Sequence, residues 1–292
     1  MARRRPATVH GVVVVDKPPG VTSHDVVGML RRRFGERRVG HAGTLDPGAT
    51  GVLVVAVGNV TRLLRFVTDG RKRYTGEVVL GVETATLDAD GAVTAHHEMG
   101  EVPLEVAWAA VAEHLTGTIE QVPPMVSALK VDGRRLHELA REGVEVERAP
   151  RSVTVYDFAV LGSTRDPDGP QVLHVDVACS AGTYVRTLAA DLGHLLGGGA
   201  HLRNLRRTEV GPFTIAEAAP PEEAPLLAPD AAVRGLDRIV ADEATARLVA
   251  TGRVMDAPPG PGPWAFVDGA GGVLAVYEPF RGQAKPAVVI PP

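Results

Sequence analysis

One cysteine, Cys179, stands alone in a chain of 292 residues. Disulfides and cysteine-rich metal sites within one chain are thereby excluded. No apolar run has the length of a membrane span. Met1–Ala7 is basic but no hydrophobic segment follows it, so a signal peptide is not indicated either. A cytoplasmic protein is expected. The chain has no internal repeat and no G-x-S-x-G nucleophile elbow. Gly43 and Gly48 have the glycine spacing of a P-loop, but Ala49-Thr50 stands where Lys-Ser/Thr is needed, and no nucleoside triphosphate site follows. His96-His97 lies in an acidic stretch without further ligands nearby, the pattern of a surface pair.

Positive charge is scarce overall and unevenly spread. The formal net charge is −4, the wrong sign for a nucleic-acid binder. Residues 76–120 contain no Lys or Arg, whereas residues 1–75 hold 14 of them against 5 Asp and Glu, a local net charge of +9. Basic residues return at Lys130, Arg134 and Arg135 and again at Arg203, Arg206 and Arg207. Charge segregated in this way builds a positive surface on an acidic protein. For any one cluster, a solvated helix face explains it equally well.

What is present is a soluble globular composition, 45% hydrophobic and 23% charged. The length suits one large domain plus a small one. Gly11–Val15 reads as a strand, and Asp16–Gly20, with two prolines, as a turn. Thr22 or Ser23 caps a helix with apolar positions Val26, Val27, Leu30 and Phe34. Arg31–Arg33 sit at its C-terminal end and Gly35 stops it. Further along, Asn59–Val67, Leu104–Leu115 and Arg134–Arg141 read as helices. Arg71–Gly81, Ser152–Val160 and Val172–Cys179 read as strands, and Asp132-Gly133 as a turn. A helix to about Leu196 follows Ser180–Arg186. Pro220, Pro221, Pro225 and Pro229 have the composition of a linker. Beyond it, one helical segment (Glu243–Val249) and short β runs at Trp264–Val267, Val273–Tyr277 and Ala287–Ile290 read as a small β-rich domain.

The chemistry centres on Val39–Val55. Asp46 stands between Leu45 and Pro47, among Gly43, Gly48 and Gly51, and Val52–Val57 reads as a buried strand behind it. A carboxylate on such a glycine loop is rigidly aimed; an Asx-turn is the plainer use of an isolated Asp-Pro. His41, five residues earlier, Tyr74 at the start of a strand, and Tyr184 with Arg186 between a strand and a helix complete the candidates. An Asp nucleophile needs an Arg to keep it ionised in a pocket that excludes water. An aromatic ring offers a platform for an extruded base. Either tyrosine taken singly is equally a packing residue.

With these residues laid out, the chain closely resembles the bacterial tRNA pseudouridine-55 synthases of the TruB type. The motifs are GVVVVDKPPGVTS at Gly11–Ser23, GHAGTLDPGATGVL at Gly40–Leu53, Lys72-Arg73-Tyr74, QVPPMVSAL at Gln121–Leu129, GTYVR at Gly182–Arg186 and GAHLRNLRR at Gly199–Arg207. They come in the family's order over residues 11–215. The resemblance implies a mixed α/β (α+β) pseudouridine synthase fold, with a central mixed, mostly antiparallel sheet and flanking helices. It divides the chain into a basic arm (1–10), a catalytic domain (11–230) and a β-rich, PUA-like RNA-binding domain (231–292). It implies isomerisation of one uridine in the T-loop of tRNA, with Asp46 as nucleophile and Arg186 as its partner. Tyr74 would stack on the flipped base and serve in proton transfer, Tyr184 would border the pocket, and His41 would hold the opened T-loop. Lys17, Pro18 and Leu205 would line or support the pocket. No metal, organic cofactor, membrane or obligate protein partner is expected. Two other readings share the scaffold: a non-catalytic tRNA-binding or RNA-folding protein, and a synthase acting on other RNAs.

Overall fold

The computed structural model describes residues 6–290 apart from 128, 132 and 166–168. The chain divides into two compact units, residues 1–70 with 209–292, and residues 71–208. The expected turn at Asp132 and the tip of the Asp/Pro/Gly loop at 166–168 lie outside the described residues, as does the first half of the basic arm.

The first unit begins with β1 (Gly11–Lys17), α1 (Ser23–Phe34), β2 (Val39–Ala42), β3 (Thr50–Val57) and α2 (Leu64–Thr68). Strand β3 lies between β1 and β2 and is antiparallel to both, with Val57 opposite Gly11 on one side and Val39 on the other. Alternate side chains of a strand point to opposite faces. Here both faces are covered, so both sets of alternating residues are apolar. Val13, Val15, Leu53, Val55 and Val57 pack with Val26, Val27 and Leu30 of α1. Val12, Val14, Val52, Val54 and Ala56 enter a second core with Val60, Leu63 and Val67. That is why GVVVV and VLVVAV are unbroken rather than alternating runs. Helix α1 starts in a capping box: Thr22 accepts from the Asp25 amide at 3.0 Å, and Asp25 accepts from the Thr22 amide at 2.9 Å. It ends on Gly35 in the left-handed conformation, φ 62°.

The second unit holds β4 (Lys72–Leu80), the hairpin β5 (Val82–Thr84) and β6 (Val93–His96), α3 (Leu104–His114) and β7 (Gly117–Gln121). Then come the short strands β8 (Lys130–Val131) and β9 (Arg134–Arg135), α4 (Leu136–Arg141), β10 (Arg151–Arg165), β11 (Gln171–Cys179), α5 (Val185–Leu195) and β12 (Ala200–Val210). Its strands lie in the order β12-β4-β11-β10-β7, and β4–β11, β11–β10 and β10–β7 are antiparallel. The helix expected from Arg134 begins only at Leu136, because Arg134 and Arg135 pair back onto Val131 and Lys130.

Beyond residue 208 the first unit resumes with β13 (Phe213–Thr214), β14 (Asp237–Val240), α6 (Glu243–Ala250), β15 (Met255–Asp256), β16 (Trp264–Val267), β17 (Val273–Phe280) and β18 (Gln283–Val289). The last strands form a sheet in the order β14-β16-β17-β18-β15. Ala265, Val267, Val276 and Val288 join the same core as Val12 and Val54. The proline-rich stretch after Pro220 is not a free connector. Leu227 exchanges backbone hydrogen bonds with Val12 at 2.8 and 3.1 Å, and Ala219 exchanges them with Val14 and Asp16. Arg33 donates to the carbonyls of Pro221 and Ala224 at 3.0 and 2.6 Å. Two of the three arginines at the end of α1 are therefore committed to backbone oxygens, since Arg31 also donates to Val39 at 3.3 Å. The mixed α/β architecture with a largely antiparallel sheet agrees with the expectation.

Candidate active site

Asp46 lies on the loop between β2 and β3, and its neighbours hold the loop. Leu45 is buried. Its amide donates to Ser23 Oγ at 2.9 Å, and Ser23 Oγ donates back to its carbonyl at 3.2 Å. The Ala49 amide closes a turn onto the Asp46 carbonyl at 3.1 Å, and the Gly20 amide donates to the Pro47 carbonyl at 2.9 Å. Gly43 and Gly51 have φ of 80° and 99°, positions at which a side chain would be strained. Gly48 is not among the positive-φ glycines.

Lys17, expected to line or support the pocket, fastens this loop. It is fully buried, and its ammonium donates to the carbonyls of Pro18 (2.9 Å), Val21 (2.7 Å) and Pro47 (3.0 Å). A buried ammonium is tolerable only with such partners. The side chain therefore ties the Asp16–Val21 turn to the residue after Asp46, whereas Pro18 is exposed. Replacing Lys17 by Met leaves these acceptors without that donor. We expect a loss of about 2–4 kcal/mol of unfolding free energy, read as a lowered urea midpoint. An unchanged midpoint would mean that the three bonds are not what holds the turn.

In the second unit, Tyr74 on β4 is buried and sits opposite Val177 of β11. Gly76, two residues on, shares its face of the strand. A Cβ at Gly76 would lie 3.2 Å from Leu202 Cδ1 and 3.7 Å from Leu205 Cδ1. The missing side chain thus lets Leu205 lie over β4 on the Tyr74 face. Asn204, in the left-handed region at φ 54°, bends β12 just before it. Arg203 is fixed by Glu77 at 2.7 Å. Burial raises the Glu77 pKa, but hydrogen bonds from Arg203 and Asn204 outweigh it and hold the carboxyl below its ordinary value.

Tyr184 caps α5 through its backbone and Arg186 lies in its first turn. Arg186 is 4% exposed. It donates to the carbonyls of Thr86 at 2.7 Å and Val126 at 2.9 Å, and it lies 3.5 Å from a carboxylate oxygen of Asp88. Asp88 is not among the candidates named from sequence, and Gln121 is named there only as the first residue of a motif. The side-chain amide of Gln121 accepts from the Tyr184 amide at 2.8 Å and donates to the Tyr184 carbonyl at 3.1 Å. The available signal for Asp88 was an Asp in a turn within a stretch free of Lys and Arg. For Gln121 it was a polar residue that proved buried, opening the QVPPM run. Cys179 is 1% exposed and burial pushes its thiol up to about 11, which suits a core residue and not a nucleophile. The candidates therefore fall into two groups. Lys17, Pro18, His41 and Asp46 belong to the first unit, and Tyr74, Tyr184, Arg186 and Leu205 to the second.

Residues 31–185 match the model of the TruB family pseudouridylate synthases (N-terminal domain), and residues 186–223 that of the tRNA pseudouridylate synthase B C-terminal domain. The chain is 47% identical over 289 residues to tRNA pseudouridine synthase B of Thermobifida fusca, covering 96% of this chain and 98% of that one. The chain belongs to the TruB family of pseudouridylate synthases. A second relative within the family, tRNA pseudouridine synthase B of Symbiobacterium thermophilum, is 49% identical over 248 residues, 82% of each chain. The fold is also that of a chain in a solved H/ACA RNP bound to a substrate RNA containing 2'-deoxyuridine. The TM-score is 0.70 at 22% identity, over 97% of this chain and 85% of that one. Membership in the TruB family makes the protein an isomerase.

Proposed function

We propose that the protein converts one uridine in the T-loop of tRNA, position 55, into pseudouridine. The observation that carries this reading is the identity, at 47% over nearly the whole of both chains, to a relative named tRNA pseudouridine synthase B. In this reading the target nucleotide is drawn out of its stack and Asp46 forms a covalent adduct with it, at the base or at the sugar. The N1–C1′ bond breaks, the base turns, C5 bonds to C1′, the Asp46 carboxylate is released, and the proton lost from C5 is balanced by one gained at N1. A covalent carboxylate divides a hard isomerisation into two easier steps. Arg186 keeps that carboxylate ionised, and Asp88 and Gln121 position Arg186 and Tyr184. His41 holds the opened loop, while Leu205 and Tyr184 border the base.

The reaction so drawn uses no metal, organic cofactor or obligate protein partner, and the protein works in the cytoplasm. Residues 231–292 contribute RNA binding. Clustered cations make the phosphate contacts, which set affinity but not sequence. Incubation of the purified protein with an unmodified tRNA transcript, followed by mapping of pseudouridine, tests the proposal directly. Absence of product at the T-loop uridine would overturn it.

Tyr74 is assigned two roles that substitution separates. Tyr74→Phe retains the ring, whose stacking on a base is worth ~1–3 kcal/mol, and Tyr74→Leu loses it. The expected result is near-normal tRNA affinity with stalled turnover for Phe, and weakened affinity as well for Leu. Equal, mild effects of both in single-turnover assays would remove both roles from Tyr74.

A further inference from the structure

The hairpin joining β17 to β18 ends in a tip that no step of the proposed reaction uses. Phe280 pairs with Gln283 across a two-residue turn. The turn residues, Arg281 and Gly282, both have positive φ, 51° and 79°, the geometry of a type I′ turn. Asn or Gly fills the first of these positions with little strain; here it carries a cation. Phe280 is 36% exposed at the tip, the only phenylalanine among the large exposed apolar side chains of the described residues. The Arg281 guanidinium lies 5.3 Å from its centroid, and the Lys285 ammonium lies 5.0 Å from it. From Pro279 to the C-terminus the sequence has these two cations and no acidic residue. The nearest carboxylate in sequence, Glu278, is paired with Arg65 of α2 at 2.8 Å. Arg62 donates to the Val289 carbonyl on the neighbouring strand. An exposed ring thus stands beside two cations on its own hairpin, and the nearest carboxylate on that hairpin is held by Arg65.

We propose that this tip is a contact for an unpaired stretch of the RNA substrate, one base stacking on Phe280 and its flanking phosphates falling to Arg281 and Lys285. The proposal rests on the reading of tRNA as substrate. Magnitudes favour the exchange. An exposed cation–π contact is worth a factor of about 2–5, whereas a base stacked on an aromatic ring is worth about 5- to 150-fold. The cations give up the ring at small cost and gain phosphates, each of which releases a counterion. Without RNA the same contacts keep the exposed ring partly covered and oriented.

The test is the affinity of the full chain for an unmodified tRNA transcript, measured for wild type, Phe280→Ala, Phe280→Trp and the double variant Arg281→Gln/Lys285→Gln. Phe280→Ala is expected to bind at least about 5-fold more weakly. Phe280→Trp should bind as wild type does, with its fluorescence quenched on addition of tRNA. The double variant should lower the slope of log K against log[salt] by about 1.4–1.8, two contacts at about 0.7–0.9 each. Thermal melting checks that each variant is folded, which substitutions at an exposed tip should allow. Affinity within 2-fold of wild type for a folded Phe280→Ala, with no quenching in Phe280→Trp, would overturn the site. That result beside normal pseudouridine formation by wild type leaves the activity standing. Weakened binding by Phe280→Ala beside a wild type that makes no pseudouridine supports the tip and removes the activity.

Discussion

Asp46→Asn should form no detectable pseudouridine while binding tRNA within about 3-fold of wild type. The amide is nearly isosteric with the carboxylate but is a very poor nucleophile, so the covalent route closes. In the proposed complex affinity comes from phosphate and stacking contacts away from this carboxylate, and these remain. The local structure also favours a clean result. The loop is held by the backbone of Leu45 through Ser23 and by the carbonyl of Pro47 through Lys17 and Gly20, and the substitution alters none of those groups. A variant that binds and does not turn over therefore reports on chemistry and not on folding. The expected fall in single-turnover rate exceeds about 10⁴-fold, or roughly 5.5 kcal/mol of transition-state free energy. Turnover near the wild-type rate, with deamidation back to Asp excluded by mass spectrometry, would take the nucleophile role away from Asp46. It would also revive the reading of this loop as an Asx-turn.

Local signals made much of the fold legible. The unbroken valines of β1 and β3 announced strands covered on both faces, and Thr22, Asp25 and Gly35 marked the two ends of α1. Features set by distant partners were not legible. Pro220 to Pro229 has the composition of a connector, yet residues around it are bonded to β1, and only tertiary hydrogen bonds reveal that. Arg134 and Arg135 fit a helix by pattern, but their pairing with Val131 and Lys130 delays it. At the site, the motif residues could be named singly, and the loop around Asp46 is a turn into a core strand in which Gly43 and Gly51, but not Gly48, take positive φ. The contacts these residues make were not legible, for the same reason as the bonds of the 220–229 stretch to β1. Lys17 reaches across 30 positions to Pro47, Gln121 across 63 to Tyr184, and Arg186 across 100 to Thr86. A buried lysine also looks, in sequence, like any basic residue beside a turn. Only its three carbonyl partners mark it as structural.

Arg186→Lys should lose at least about 100-fold in single-turnover rate although the charge is kept. Among the described residues the guanidinium serves acceptors from two places in the chain: the Thr86 carbonyl and Asp88 carboxylate of one turn, and the Val126 carbonyl. A planar fork meets such a set with its donors pre-arranged. An ammonium is a compact point charge, more strongly hydrated and on a shorter reach, and it cannot span all three. Two consequences follow and can be told apart. Loss of the carbonyl contacts lowers stability by about 1–3 kcal/mol, seen as a shifted unfolding midpoint. If Arg186 has the role proposed for it, loss of the positioned guanidinium lowers the rate of the chemical step at temperatures where the variant is fully folded, with tRNA affinity little changed. Asp88→Asn supplies the companion measurement. It removes the carboxylate that orients Arg186 without touching the guanidinium, and it should reproduce part of the rate loss with a smaller shift in midpoint. A lysine variant that is less stable yet turns over at the wild-type single-turnover rate would make Arg186 a clamp on the Thr86 and Val126 carbonyls alone. The partner that keeps Asp46 ionised would then have to be another cation.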